Sequence, residues 1–221
     1  METNHNAIRG KSDCFSQLTD LLDRLNRTDK HITAVTTLTR ANIGDIEALS
    51  GFLTKNHVKI WQLQTCSPFG NAKDNTGMAP RKEDIVKVVE IFQKLPQIPM
   101  RTQLADNIGY YVTAPDGGTI KQFRGCAAGL LSIGIDSDGS VRGCESLKDD
   151  CFIEGNLRTK TLKEIWEGAD SFSYNRKFSP GQLTGACAAC EFGERCAGGC
   201  RSHNLFSHSK LYESTVCAKN L

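Results

Sequence analysis

Seven cysteines in the second half of the chain stand in an ordered spacing. Cys126 is followed by twelve residues, Gly139, four residues and Cys144; later come Cys187-x2-Cys190-x5-Cys196-x3-Cys200, and Cys217 stands alone near the end. A Cys-x2-Cys step turns two sulfurs toward one metal with amide N–H groups behind them, and Gly193, Gly198 and Gly199 let the backbone come close. Amides placed in this way hydrogen-bond to thiolate or sulfide and set a reduction potential. Seven thiols exceed what one tetrahedral ion uses and fall one short of two four-thiolate sites, so two metal centres are the economical reading. A Cys-x2-Cys step by itself fits structural zinc as well as an iron–sulfur centre.

The rest of the composition supports metal over disulfides. Ten cysteines in 221 residues are too few for a small disulfide scaffold and more than a reduced enzyme needs, and eight of them lie between Cys126 and Cys217. The N-terminal METNHNAIRGKSD is polar and lacks the apolar core of an export signal. No apolar run approaches the roughly 18 residues of a membrane helix, and mean hydropathy is −0.35. With 27 basic against 25 acidic residues the net charge is +2, which advertises neither nucleic acid nor an anionic membrane as a partner. A cytoplasmic protein is expected.

Two kinds of chain carry these cysteines. Ser12 is positioned to cap a helix bearing Phe15, Leu18, Leu21, Leu22 and Leu25 at three- and four-residue spacing. A β-rich run at 31–38, a helix at 43–55, a strand at 58–65, a helix at 82–95 and a strand at 98–104 follow, which predicts parallel βα units. Three strands cannot close a barrel, so this is a partial α/β layer. Residues 108–123, with Pro115-Asp116-Gly117-Gly118, read as a linker or turn. Beyond Gly125, residues 130–136 and 140–144 flank Ser137-Asp138-Gly139 as a β-hairpin, and a short helix is expected at 161–168. Residues 169–221 show little periodicity; metal ligation is expected to supply folding free energy that so little apolar surface cannot.

Other residues offer less. His203 and His208 are possible ligands, with solvent-facing or capping roles as the plainer expectation in a loop. The Asp136-Ser137-Asp138-Gly139 run lacks the spacing and terminal Glu of a calcium loop and reads as a hairpin turn. Residues 37–42 and 62–64 hold strand positions that would face a cofactor cavity in a complete barrel, with core or rim roles as an equal alternative. Phosphate-loop, dinucleotide and Ser/His/Asp hydrolase patterns are absent, and no residue of the chain is assigned a catalytic role.

The seven-cysteine order resembles the SPASM domain, the C-terminal auxiliary-cluster domain of radical SAM maturases. All seven positions match, and so do Cys126-Ala-Ala-Gly129, IDSDGSVRGC, GNLRTKTLKEIW and Cys196-Ala-Gly-Gly-Cys200-Arg201. More weakly, Asn6 to Gly10, TTLTRAN and Ser67-Pro68-Phe69-Gly70 resemble the second half of the radical SAM partial barrel. The family's Cys-x3-Cys-x2-Cys signature, which binds the S-adenosylmethionine cluster, does not occur; Cys196-x3-Cys200 has His203 where the third cysteine would stand.

The resemblance implies an α/β partial barrel remnant over residues 1–107, a linker at 108–124 and a small, loop-rich iron–sulfur domain with a β-hairpin at 125–221. It implies two auxiliary iron–sulfur clusters of the [4Fe–4S] kind, the first on Cys126, Cys144 and Cys200, the second on Cys187, Cys190, Cys196 and Cys217. The first would have an open fourth position or take Cys151; a partly buried, unligated thiol is the plainer expectation for Cys151. Structural roles are expected for Cys14 and Cys66. The function implied is that of the C-terminal part of a peptide- or protein-modifying radical SAM/SPASM enzyme. S-adenosylmethionine would be a cofactor only together with an N-terminal half. Partners would be a peptide or protein substrate, a separate radical SAM half and a reductant such as a flavodoxin or ferredoxin. An electron-transfer module working with a separate subunit and a zinc-stabilised structural domain are the alternatives.

Overall fold

The computed structural model describes residues 1–75, 77–95, 98–105, 108 and 125–217. The chain divides into two compact units, Met1–Gln122 with Val216–Leu221, and Phe123–Thr215.

The first unit runs α1 (Glu2–Arg9), α2 (Cys14–Leu25), β1 (Thr33–Leu38), α3 (Ile46–Lys55), β2 (Ile60–Thr65), α4 (Lys82–Lys94) and β3 (Arg101–Leu104). The strands form a parallel sheet in the order β1-β2-β3, and Val35 pairs with Gln62, which pairs with Gln103. Each parallel step is bridged by a helix, as a βαβ unit requires. The period of two sorts the side chains. Leu38, Trp61, Leu63 and Leu104 are buried and join one core with Ile46 and Leu53 of α3 and Ile85, Val88 and Phe92 of α4. Trp61 is 0% exposed and donates its Nε1–H to Thr36 Oγ1 at 2.9 Å.

The opposite face of the sheet is polar. Gln103 Nε2 donates to Gln62 Oε1 at 2.6 Å, and Gln64 Nε2 donates to Thr37 Oγ1 at 3.2 Å. Of the positions expected to face a cavity, Gln62 and Gln64 join Thr37 and Gln103 in an amide ladder on this face, with Val35 55% exposed beside it, whereas Leu38 and Leu63 are buried in the core.

Local chemistry corrects two expectations. The N-cap of α2 is Asp13 rather than Ser12. The strand expected at 98–104 is shorter, because Ile98 and Pro99 precede the pairing that starts at Arg101. The linker expected at 108–124 lies, apart from Ile108, outside the described residues.

The second unit holds an antiparallel sheet of β4 (Gly134–Ile135), β5 (Ser140–Arg142) and β6 (Gly155–Asn156), followed by α5 (Leu162–Glu167), α6 (Ser173–Arg176), α7 (Gly193–Cys196) and α8 (Arg201–His208). The hairpin turns at Gly139, whose φ of 89° suits glycine. Val141, Ile165 and Phe172 form its small core. Thr161 and Glu164 make a reciprocal capping box that starts α5. No described helix is long and apolar enough to cross a membrane.

Candidate metal centre

Short elements and buried polar contacts hold the cysteine loops of the second unit. Asn175 donates to Ala128 O at 2.8 Å and Arg176 Nε to Gly129 O at 2.8 Å, so α6 clamps the loop that begins at Cys126. Cys144 leaves β5 through Gly143, where a Cβ would come within 2.1 Å of the Tyr174 hydroxyl. Upstream of it, Arg142 is buried and tied to Asp136 at 2.7 Å, to Leu147 O at 3.0 Å and to Asp149 O at 2.8 Å. This network holds the segment on both sides of Cys144.

The Cys187 loop is fastened to the segment near residue 213. Thr184 Oγ1 donates to Glu213 at 2.7 Å, and Ser214 N–H donates to Cys187 Sγ at 3.3 Å. Cys196 ends α7 and Cys200 is the N-cap of α8. Between them Ala197, Gly198 and Gly199 all take positive φ. A Cβ at Gly198 would lie 2.5 Å from the Tyr212 carbonyl carbon, so the turn admits no side chain there.

Cys126 lies within electrostatic range of Cys144, and Cys190 of Cys187. Burial pushes the Cys144 thiol up, and the neighbouring charges of Glu145 and Cys126 add to that. Burial likewise pushes Cys187 up against the lowering effect of the Ser214 N–H, with Cys190 close enough to raise it further. Raised thiols hold their protons until a cation displaces them, so metal uptake here would release protons. Cys126, Cys196 and Cys200 lie within electrostatic range of the Arg201 guanidinium, which burial pushes down and these groups push back up. No disulfide joins any of the ten cysteines. Among the described residues no three His, Cys, Asp or Glu side chains converge closely enough to hold one metal ion.

Cys151 and His203 are placed otherwise than expected. Cys151 is exposed rather than partly buried, at a one-turn helix capped by Asp149. His203 is no loop residue; it lies within α8 and is 5% exposed. His208 does act near a helix end, its Nδ1 lying 2.5 Å from Asn204 O. Cys14 opens α2, and Cys66 is buried just after β2 with its thiol pushed up by burial. Val216 and Cys217 group with the first unit, where Val216 packs against the core. Arg201, Arg142 and Tyr174 were assigned no role by sequence reasoning; a basic residue beside a cysteine after two glycines was the available signal for Arg201.

Residues 126–191 match the iron–sulfur cluster-binding SPASM domain. The match covers less than a third of the chain. It contains Cys126, Cys144, Cys187 and Cys190 of the seven ordered cysteines. The chain is also similar to radical SAM/SPASM enzymes over most of its length. It is 25% identical to the AdoMet-dependent heme synthase of Oleidesulfovibrio alaskensis, covering 96% of this chain and 57% of that protein. It is 24% identical to the mycofactocin maturase MftC of Mycobacterium ulcerans, covering 92% and 54%. Among solved structures, Streptococcus suis SuiB aligns with a TM-score of 0.62 at 18% identity over 90% of this chain and 48% of its own. Native anSMEcpe with bound AdoMet aligns with a TM-score of 0.62 at 18% identity over 93% and 57%. The chain thus spans about half the length of the relatives it matches.

The burial of His203 has a measurable consequence. Its imidazole is pushed down to about 4, first by burial and then by the nearby His208. An unfolded imidazole takes up its proton near pH 6.5. Stability is therefore fully present above about pH 6.5 and is lost as pH falls toward about 4, by about 3 kcal/mol in all. Urea midpoints of the metal-free chain measured across that window are expected to fall steeply, and much less so for His203→Gln. Equal slopes would show that His203 is not held neutral.

Proposed function

We propose that this chain is the auxiliary-cluster part of a radical SAM/SPASM enzyme that modifies a peptide or protein. In this reading residues 1–107 are a partial radical SAM barrel, 108–124 a linker and 125–221 the cluster domain. Cys126, Cys144 and Cys200 hold a first [4Fe–4S] cluster, and Cys187, Cys190, Cys196 and Cys217 a second. The observation that carries the proposal is the SPASM-matching segment, in which Cys126, Cys144, Cys187 and Cys190 are buried or half-buried thiols, Cys126 within electrostatic range of Cys144 and Cys190 of Cys187.

The donor set fits such clusters. All seven proposed ligands are soft thiols, an amide N–H already points at Cys187, and a buried cation lies beside three of them. Structural zinc is less well supported, since seven ordered thiols exceed what one tetrahedral ion uses.

When bound, the clusters would supply one-electron acceptance or relay, or an open iron for substrate. The chain's own contribution is to hold the thiols, keep their surroundings dry and aim amides at sulfur. S-adenosylmethionine cleavage falls to a radical SAM half carrying Cys-x3-Cys-x2-Cys, with a flavodoxin- or ferredoxin-like reductant. A peptide substrate is supported by two neighbours, SuiB bound to precursor peptide SuiA and anSMEcpe with a Kp18Cys peptide.

Iron, sulfide and zinc per chain after anaerobic reconstitution test the proposal. About eight iron and eight sulfide, with absorbance near 400 nm, are expected for two cubane clusters. One or two zinc ions and no colour would overturn it in favour of a structural domain.

A further inference from the structure

Arg201 is the largest charged side chain sealed inside the second unit, with 0% exposure. Its Nη1 donates to Leu211 O at 3.1 Å, and also reaches the carbonyls of Ala197 and Gly199 inside the Cys196–Cys200 turn. Its guanidinium carbon lies 4.4 Å from the centre of the Tyr212 ring. Nε and Nη2 are buried and have no hydrogen-bond partner. No carboxylate of the described residues stands within ion-pair distance of it. A sealed cation with two idle donors and no counter-ion among the described residues is costly unless something anionic faces it. The groups in electrostatic range are Cys126, Cys196, Cys200 and Tyr212.

The backbone brings both cysteine loops to that place. Gly125 packs so tightly on the Cys196–Ala197 backbone that a Cβ there would lie 2.9 Å from Cys196 O. Cys126 follows Gly125, and Cys200 precedes Arg201. Cys126 and Cys200 are proposed ligands of the first cluster, Cys196 of the second.

We infer that Arg201 is the shared counter-cation of the two proposed clusters and raises their reduction potentials. The inference rests on the cluster reading above. A fixed positive charge in a low-dielectric site stabilises the reduced cluster, which carries one more negative charge, over the oxidised one. The guanidinium stays protonated throughout, so this bias does not vary with pH. Arg201 is thus a tuning residue that binds no substrate.

The test compares the full chain with Arg201→Met, Arg201→Lys and Asn204→Ala after anaerobic reconstitution. Asn204 Nδ2 donates to Gly198 O at 2.7 Å and to Leu211 O at 3.1 Å, so its removal loosens the same turn without touching charge. Midpoint potentials are read by redox titration followed by electron paramagnetic resonance. Arg201→Met is expected to lower both midpoints, each by a tenfold change in the reduction equilibrium, about 59 mV. Arg201→Lys and Asn204→Ala are expected to stay close to the parent. Loss of iron from Arg201→Met alone, with Arg201→Lys retaining it, equally supports a requirement for charge. Met and Lys variants that behave alike, in potential or in iron content, overturn the inference and leave Arg201 a structural pin. A parent chain that takes up no iron sinks the cluster reading itself, a result distinct from either.

Discussion

Cys144→Ala is expected to remove about half of the reconstituted iron and sulfide, about four of eight each, whereas Cys151→Ala removes none. The two residues are seven positions apart and differ in burial and in the groups around them. Cys144 is half-buried at the exit of β5, flanked by the Arg142 network, and within electrostatic range of Cys126. Cys151 is exposed, and the charges that act on its thiol are Asp149 and Asp150. Carboxylates beside it hold its proton on and repel an anionic cluster. Iron and sulfide assays on the two variants, with the absorbance near 400 nm, read the difference. If Cys151→Ala loses iron as Cys144→Ala does, then Cys151 is the fourth ligand of the first cluster and the loop bearing it closes on metal binding.

Much of the first unit was legible because its elements are long enough to show a period. The apolar spacing of α2, α3 and α4 and the β-branched runs of β1 and β2 lie where the pattern put them. Helix α1 was not, because ETNHNAIR has no apolar stripe and none of its residues is buried. It is held by tertiary contacts, with Asn4 and the Met1 ammonium both on Asp45. In the second unit α6 and α7 are four residues each, too short for any period to register. Their places are set by side chains gripping distant carbonyls, such as Asn175 on Ala128. For the candidate site, the spacing of the cysteines carried the donor set and the resemblance to SPASM. It could not show Arg201 as a buried cation, since burial without a carboxylate partner is a property of three loops meeting.

In the strand at 58–65, read from the sequence as alternating Val58, Ile60, Trp61 and Leu63, which residues face the core is a question of register. The register answers it by turning Trp61 and Leu63 inward and Ile60, Gln62 and Gln64 toward the amide ladder. Trp61→Ala is therefore expected to cost about 3–5 kcal/mol, by removing a fully buried ring and leaving a cavity among α3, α4 and the sheet. It also takes away the donor that satisfies Thr36 Oγ1. Val35→Ala, on the open face of the neighbouring strand, is expected to change stability by only about 0.5 kcal/mol. Urea denaturation of the two variants measures both. A slip of one residue in β2 would exchange the faces and bury Gln62 and Gln64 in place of Trp61 and Leu63. A small loss for Trp61→Ala would thus refute the register, and with it the polar face that the sheet presents across Thr37, Gln62, Gln64 and Gln103.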